Sequence, residues 1–316
     1  MKKVFMTGGA GYVGTTLIPA LLESGCYVTV YDSLIFNNGD KMLPYITNKN
    51  FNFIKGDVRD KKLLSESIAL QDYDTVIHLA ALVGWPICRQ YGDVESYSIN
   101  VDGTKTVIEC MNNDQYLLFG STGSNYGAVE DLCTEDTPLN PLTAYGVTKT
   151  EAEKLVMDRP NSTAFRFATA FGVSPRLRLD LLVNDMSYRA FTEGYAVVYE
   201  SHFMRTFIHV KDMARAFCFA INNQNKMIGE VYNVGSNTMN HSKKEVCELI
   251  QENLPKTYFN YADVNEDPDK RNYVVSYEKL NKLGFDTKVS LKDGISELVK
   301  SFPLVRISSN YHNVSK

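Results

Sequence analysis

The chain opens on Lys2-Lys3-Val4-Phe5-Met6-Thr7-Gly8-Gly9-Ala10-Gly11-Tyr12-Val13-Gly14, and no other stretch restricts its fold so tightly. A short apolar run breaks into a glycine cluster. It continues into residues 15–24, where Leu17, Ile18, Leu21 and Leu22 recur at helical spacing before Gly25. Strand, tight turn and helix in that order make a phosphate site, because backbone N–H groups and the positive end of the helix converge on a pyrophosphate. Glycines 8, 11 and 14 suit that use, and Gly9, Gly11 and Gly14 also satisfy a G-x-G-x-x-G spacing. On its own such spacing would equally suit any glycine-rich turn.

The following segment decides between the two. Tyr27-Val28-Thr29-Val30-Tyr31 reads as a second strand and ends in Asp32. That is about 20 positions past the glycines, where a dinucleotide fold needs a carboxylate for the adenosine ribose hydroxyls. No arginine adjoins Asp32 in sequence to receive a 2′-phosphate, which favours NAD over NADP.

Strand-like and helix-like segments keep alternating. Residues 51–57, 75–81, 116–121 and 162–169 read as strands, and residues 61–69, 96–111 and 144–157 as helices. Repeated βα units predict an α/β fold, a doubly wound parallel sheet of Rossmann type with ligands at the carboxyl ends of its strands. Beyond Gly172 the segments shorten. Helices are expected near 180–192, 211–222, 243–253, 277–283 and 291–301, and strands at 196–199, 230–234 and 258–261. The division predicted is a dinucleotide-binding domain over 1–172 and a smaller substrate-binding lobe over 173–316. The lobe is expected to be interleaved, with some segments returning to the first domain. The tail after Pro303, polar and Ser/Asn-rich past Ile307, is expected to be loosely held.

Composition excludes several classes. The 316 residues are 44% apolar and 22% charged with net charge −4, and no long basic block invites nucleic acid. No apolar run reaches about 18 residues and the first strand leaves no room for a leader, so the expectation is a cytoplasmic protein without membrane contact. Cys26, Cys88, Cys110, Cys133, Cys218 and Cys247 are scattered, which predicts reduced thiols and no metal site.

Chemistry is expected from Tyr145 and Lys149, four apart and so one helical turn from each other. A phenol titrates near about 10, and bringing it to about 7 takes roughly 4 kcal/mol of preferential phenolate stabilisation. A neighbouring ammonium, with a positive nicotinamide ring beyond it, works in that direction. At the end of the fifth strand stands Gly120-Ser121-Thr122-Gly123-Ser124-Asn125-Tyr126-Gly127, whose Thr122 could hydrogen-bond a reacting sugar hydroxyl.

With these residues in order, the chain resembles the extended short-chain dehydrogenase/reductase family, in its nucleotide-sugar epimerase/dehydratase branch. Gly8, Gly11 and Gly14, with Tyr12 and Val13 among them, match the family's glycine motif, and Asp32 its ribose-binding acid. Asp57-Val58 match an adenine-holding pair, His78-Leu79-Ala80-Ala81 the signature beside the cofactor, and Asn100 the asparagine that follows. The resemblance implies that Thr122, Tyr145 and Lys149 are catalytic, with Tyr145 and Lys149 also touching NAD. Arg205, in Arg205-Thr206-Phe207-Ile208-His209-Val210, and Arg271 then grip the substrate diphosphate, a role suited to the planar guanidinium fork. Tyr232-Asn233-Val234-Gly235 also has a family counterpart.

Departures narrow the reaction. Family 4,6-dehydratases carry Asp-Glu after the catalytic threonine, whereas Gly123 and Ser124 stand here and supply no acid or base. Cys88 is the one thiol near enough to suggest epimerisation at C3 and C5, and a packed cysteine is the plainer reading. Thr169 replaces the usual Asn after the sixth strand, at a substrate-contacting position. The segment Ser174-Pro175-Arg176-Leu177-Arg178-Leu179-Asp180-Leu181-Leu182-Val183-Asn184-Asp185 is longer and more basic than usual. It is similar to bacterial enzymes that oxidise GDP-heptoses at C4 for surface polysaccharide, with Arg176 and Asn184 at substrate-contacting positions. The implied activity is NAD-dependent oxidation of a nucleotide sugar at C4. A 4-epimerase and a 4-ketoreductase are the alternatives, and the intact trio argues against an idle NAD-binding scaffold. The resemblance also implies a homodimer or higher homo-oligomer, packed through the 96–111 and 144–157 helices.

Overall fold

In the computed structural model, which describes residues 1–262, 272–305 and 311–313, seven strands form one parallel sheet. They are β1 (Lys3–Thr7), β2 (Tyr27–Asp32), β3 (Phe51–Lys55), β4 (Thr75–His78), β5 (Tyr116–Thr122), β7 (Ser162–Phe167) and β11 (Glu230–Val234), in the order β11-β7-β5-β4-β1-β2-β3. The order reverses between β1 and β4, and a ligand crevice opens at the carboxyl ends of strands at such a reversal. The remaining strands are β6 (Ala128–Cys133), β8 (Thr169–Phe171), β9 (Tyr195–Tyr199), β10 (Met204–His209), β12 (Asn240–Ser242), β13 (Tyr258–Ala262) and β14 (Asn272–Val275). They make three small sheets, β12-β10-β8, β13-β9 and β14-β6.

Period-2 alternation sorts the large sheet's side chains onto two covered faces. Val4, Met6, Val28, Val30, Ile77 and Leu118 pack with Leu17, Ile18 and Leu21 of the Gly14–Glu23 helix and with Phe217 of the Val210–Asn222 helix. Phe5, Tyr31, Val76, Leu117 and Phe119 point the other way, against Leu64, Val107, Ala152 and Val156. A separate core gathers the second half of the chain, including Phe171, Leu177, Leu179, Val183, Phe207, Ile250, Ile295 and Leu298.

Two expectations change. Residues 162–169 are not one strand: β7 stops at Phe167, Ala168 N–H bonds to Val234 O, and Thr169 begins pairing with Phe207 in the small sheet. Residues 230–234, in the half expected to send segments back to the first domain, form the seventh strand of the large sheet, in register with β7. The helix expected at 96–111 starts earlier, at Asp93, and runs to Cys110 through a wider turn at Ser98–Asp102. Among the described residues no helix is long and apolar enough to cross a membrane.

His78 ties β4 to its neighbours. Thr104 Oγ1 donates to Asn100 O at 2.6 Å, so it accepts from His78 Nε2 at 2.9 Å. Nδ1 is then the acceptor for the Thr7 hydroxyl at 2.6 Å, and this network fixes a neutral tautomer. Burial, reinforced by the Lys149 charge, lowers the imidazole from 6.5 to about 3. The unfolded side chain takes a proton near about pH 6.5 while the folded one refuses it, so stability is complete above that pH and declines below it, by roughly 1.4 kcal/mol per pH unit from this residue. Urea unfolding at about pH 7 and about pH 4.5 is expected to show that loss. A His78→Asn variant, less stable at neutral pH, is expected to show a shallower acid dependence.

Candidate functional site

The site begins where the turn after β1 meets the end of β4. Gly8 has φ +70°, and a Cβ there would lie 2.5 Å from the Ala80 nitrogen. A Cβ on Gly14 would lie 2.4 Å from Gly9 O. The turn therefore closes only without side chains, and it delivers the first turn of the Gly14–Glu23 helix to the crevice with no side-chain cap on its N–H groups.

A cleft of about 490 Å³ runs from this turn along the strand ends. At one end Asp32 accepts from Ala10 N at 3.0 Å and Leu34 N at 2.8 Å. Burial raises its pKa, against the pull of those bonds and of Arg176, so an arginine absent from its sequence neighbourhood arrives through the fold. Asn38 donates to Ala10 O at 2.6 Å, and its buried Oδ1 has no partner among the described residues. A glycine cradle, an uncapped helix start, a buried carboxylate and an orphaned acceptor fit a dinucleotide. Asp57 and Val58 border the same end, and Asp57 is held below the usual carboxylate range by Arg59 at 2.7 Å.

At the other end Thr122, Tyr145 and Lys149 all line the cleft. Thr122 closes β5 and donates to Ser124 Oγ at 3.0 Å. Thr143 caps the Ala144–Met157 helix, which sets Tyr145 and Lys149 on one face. Tyr145 is half-buried against the Leu82, Ile87, Cys88 and Ile99 cluster. Lys149 is buried, with Nζ 3.8 Å from the Phe119 ring centroid. Burial lowers its pKa to about 7, against the opposing charge of Glu153. Glu153 itself takes the Arg166 fork at 2.7 Å and 3.1 Å and the Ser121 hydroxyl at 2.5 Å, binding helix, β5 and β7 together.

The segment after β8 crosses the cleft with alternating side chains. Arg176, Arg178 and Asp180 face it, while Leu177 and Leu179 enter the second core. Arg176 lies 5.5 Å over the Phe36 ring and donates to Asn313 Oδ1 at 2.7 Å. Tyr311 O accepts from Leu179 N at 2.8 Å, so residues 311–313 are fastened beside the cleft, while residues 306–310 and 314–316 of the tail expected to be loosely held lie outside the described residues. Arg205, 2% exposed, and Thr169 also line the cleft.

Of the cofactor-side residues read from sequence, Gly8, Gly11, Tyr12, Val13, Gly14, Asp32, Asp57, Val58, Leu79, Ala80 and Ala81 border the cleft. Asn100 does not: its amide is spent on Leu82 N, Leu82 O and Thr148, bracing the loop behind the cleft. Asn184 is likewise withdrawn, fully buried and bonded to Gly172 N and Arg178 O. Arg271 lies outside the described residues. Cys88 is sealed from the cleft, its thiol donating to Leu82 O at 3.5 Å, and burial pushes its pKa up. Sequence reasoning missed Asn38, Trp85, Arg178, Asp180 and Tyr273. The period-2 pattern of residues 176–180 carried a signal for Arg178 and Asp180, and nothing local marked the others.

A family model described as "NAD dependent epimerase/dehydratase family" matches residues 4–235. The "Low-salt glycan biosynthesis protein Agl12" of Haloferax volcanii is 30% identical over 312 residues, covering 94% of this chain and 97% of that protein. A "UDP-glucose 4-epimerase" of Lactobacillus helveticus is 29% identical over 78% of this chain and 80% of its own length. The crystal structure of a UDP-glucuronic acid 4-epimerase from Bacillus cereus, in complex with UDP-glucuronic acid and NAD, superposes with TM-score 0.83 at 25% identity, over 96% of this chain and 99% of that one.

The Glu153–Arg166 pair generates a direct test. Its side chains are 5% and 7% exposed, so Glu153→Gln leaves a buried guanidinium without its counter-charge. A loss of about 3–5 kcal/mol in urea unfolding is expected, against under about 1 kcal/mol for breaking the exposed Lys61–Glu109 pair.

Proposed function

The chain belongs to the NAD dependent epimerase/dehydratase family, and we propose that within it the protein oxidises the C4 hydroxyl of a nucleotide sugar, as a 4-dehydrogenase. The observation that carries this reading is the opening of Thr122, Tyr145 and Lys149 onto one cleft with the glycine turn and Asp32. When bound, NAD supplies the acceptor for the hydride that leaves C4. Tyr145 takes the C4 hydroxyl proton at its phenolic oxygen. Thr122 orients that hydroxyl from the end of β5, and Lys149 favours the phenolate from one helical turn away. Gly8, Gly11 and Gly14 receive the pyrophosphate and Asp32 the adenosine ribose. Arg205 supplies a guanidinium fork for the substrate diphosphate, and Arg176 a second guanidinium for a phosphate or base.

The absence of an acid–base pair at Gly123 and Ser124 supports oxidation without loss of water. The basic segment from Ser174 to Asp185 favours a GDP-heptose of surface-polysaccharide synthesis as the substrate class. The 4-epimerase relatives favour a second reading, in which the ketone is reduced again on its opposite face. A panel of GDP-heptoses and UDP-hexoses separates the two. Net reduced-nicotinamide absorbance with a 4-keto product marks the dehydrogenase, and inversion at C4 without net absorbance marks the epimerase. Tyr145→Phe is expected to lower turnover by at least about 100-fold, with NAD affinity within about threefold of the parent by calorimetry. Unchanged turnover would remove the mechanism.

We infer as well a dimer built on the Asp93–Cys110 and Ala144–Met157 helices. Val94, Tyr97 and Val147 there are 86%, 42% and 39% exposed. Light scattering is expected to show a mass near twice the chain's, halved in a Val94→Glu/Val147→Glu double variant.

A further inference from the structure

One charged cluster at the reacting end has no part in the mechanism above. Arg178 Nε and Nη2 reach the Asp180 carboxylate at 3.1 Å and 2.7 Å, and Nη2 also donates to Val83 O at 3.2 Å. The two side chains are 9% and 12% exposed, and both line the cleft that Tyr145 lines. The guanidinium borders the loop just after β4, through Val83 and Gly84, and Tyr145 packs against the cluster that holds Leu82 of that loop and Ile87 of the Trp85–Tyr91 helix after it.

We propose that Arg178 and Asp180 are a positioning pair for Tyr145: a fixed guanidinium on the phenol's side of the cleft, tempered by its own carboxylate and acting together with Lys149. Bracing the segment does not require the pair. Its backbone is already held by Asn184 Nδ2 on Arg178 O at 2.8 Å and by Leu179 N on Tyr311 O at 2.8 Å. A buried ion pair also contributes little net stability, since desolvation offsets its attraction. It does fix the direction of a local field where water is scarce. After Asp180, the groups that favour the charge on Arg178 are Tyr145 and then Tyr12, so guanidinium and phenol respond to each other. Burial alone would raise Asp180, and Arg178 reverses that and holds it below the usual carboxylate range.

Other charges face this region from each packed element. Lys149 stands on Tyr145's own helix, with Glu153 behind it and the buried Cys88 thiol beside it. Tyr12 reaches in from the glycine turn, held neutral by burial, and Asp185 from the Leu182–Glu193 helix feels Asp180. Arg176 is also within the field of the pair. These groups stay in place when Arg178 or Asp180 is exchanged for a neutral side chain, and the two exchanges remove charges of opposite sign beside the phenol. Removing the guanidinium leaves a carboxylate that disfavours phenolate, whereas removing the carboxylate leaves an unopposed cation that favours it.

The proposal rests on Tyr145 being the base, and the experiment separates the two claims. Parent, Arg178→Gln, Asp180→Asn and Arg178→Lys proteins, saturated with NAD, are titrated by tyrosinate absorbance, with the matching Tyr145→Phe protein subtracted as blank. The pH profile of kcat/KM is then measured on the substrate found in the panel. Arg178→Gln is expected to move the Tyr145 titration and the acid limb of the profile up by about one pH unit. Asp180→Asn is expected to move both down by about one, and Arg178→Lys to stay near the parent. Movement of both neutral variants in the same direction, or of neither, overturns the proposal. If Arg178→Gln fails to fold, Asp180→Asn decides alone, a downward shift supporting the pair and any other result overturning it. Should Tyr145→Phe keep full turnover, the reading of Tyr145 as base fails, while the absorbance titration still reads the pair.

Discussion

Backbone presses on backbone where the turn after β1 meets the end of β4, and the rest of the site is arranged around that contact. With Gly8 against Ala80 there is no room for a side chain, and with Gly14 against Gly9 there is none on the other flank. The approach aims the start of the Gly14–Glu23 helix into the crevice and leaves Leu79, Ala80 and Ala81 as its floor. It also sets the neutral His78 between Thr7 and Thr104, so the floor is pinned to two elements by a group that tolerates no proton.

Charge along the cleft is distributed by burial. At one end a carboxylate is stabilised by two backbone N–H groups and by an arginine that comes from the far half of the chain. At the other, a lysine whose charge is disfavoured by burial is supported by a carboxylate one turn on, which is itself anchored by a guanidinium. Between them runs a strap of alternating leucines and ionic side chains. Its leucines belong to one core and its charges to the other half's ligand site. The two halves of the chain thus share a boundary in which hydrophobic anchoring and electrostatics are carried by successive residues of one segment.

What the sequence conveyed and what it withheld divide along local and non-local lines. The Lys61–Ala69, Ala144–Met157, Lys243–Asn253 and Leu291–Ser301 helices and the strand over 230–234 occupy the stretches their periodicity predicts. The membership of that last strand was hidden, because register between β7 and β11 depends on hydrogen bonds across a long separation. β6 was missed for a similar reason: only Cys133 in it is buried, and its partner β14 is remote. At the site, Thr122, Tyr145, Lys149 and the glycines were visible from order and spacing. Asn100 and Asn184 do not line the cleft, because the first spends its amide on Leu82 and Thr148 and the second on Gly172 and Arg178, partners that only the fold brings together. Asn313 and Tyr273 had no local pattern to mark them, and folding alone brings them to the cleft.

The chain contains a single tryptophan, Trp85, and it stands in the wall of the cleft with the Arg89 guanidinium 5.3 Å over its ring. Indole emission from the whole molecule therefore originates at the one place where ligands are expected to arrive. Quenching or energy transfer to a reduced nicotinamide would report occupancy of that cleft without an introduced label, and no second fluorophore of the same kind would blur the signal.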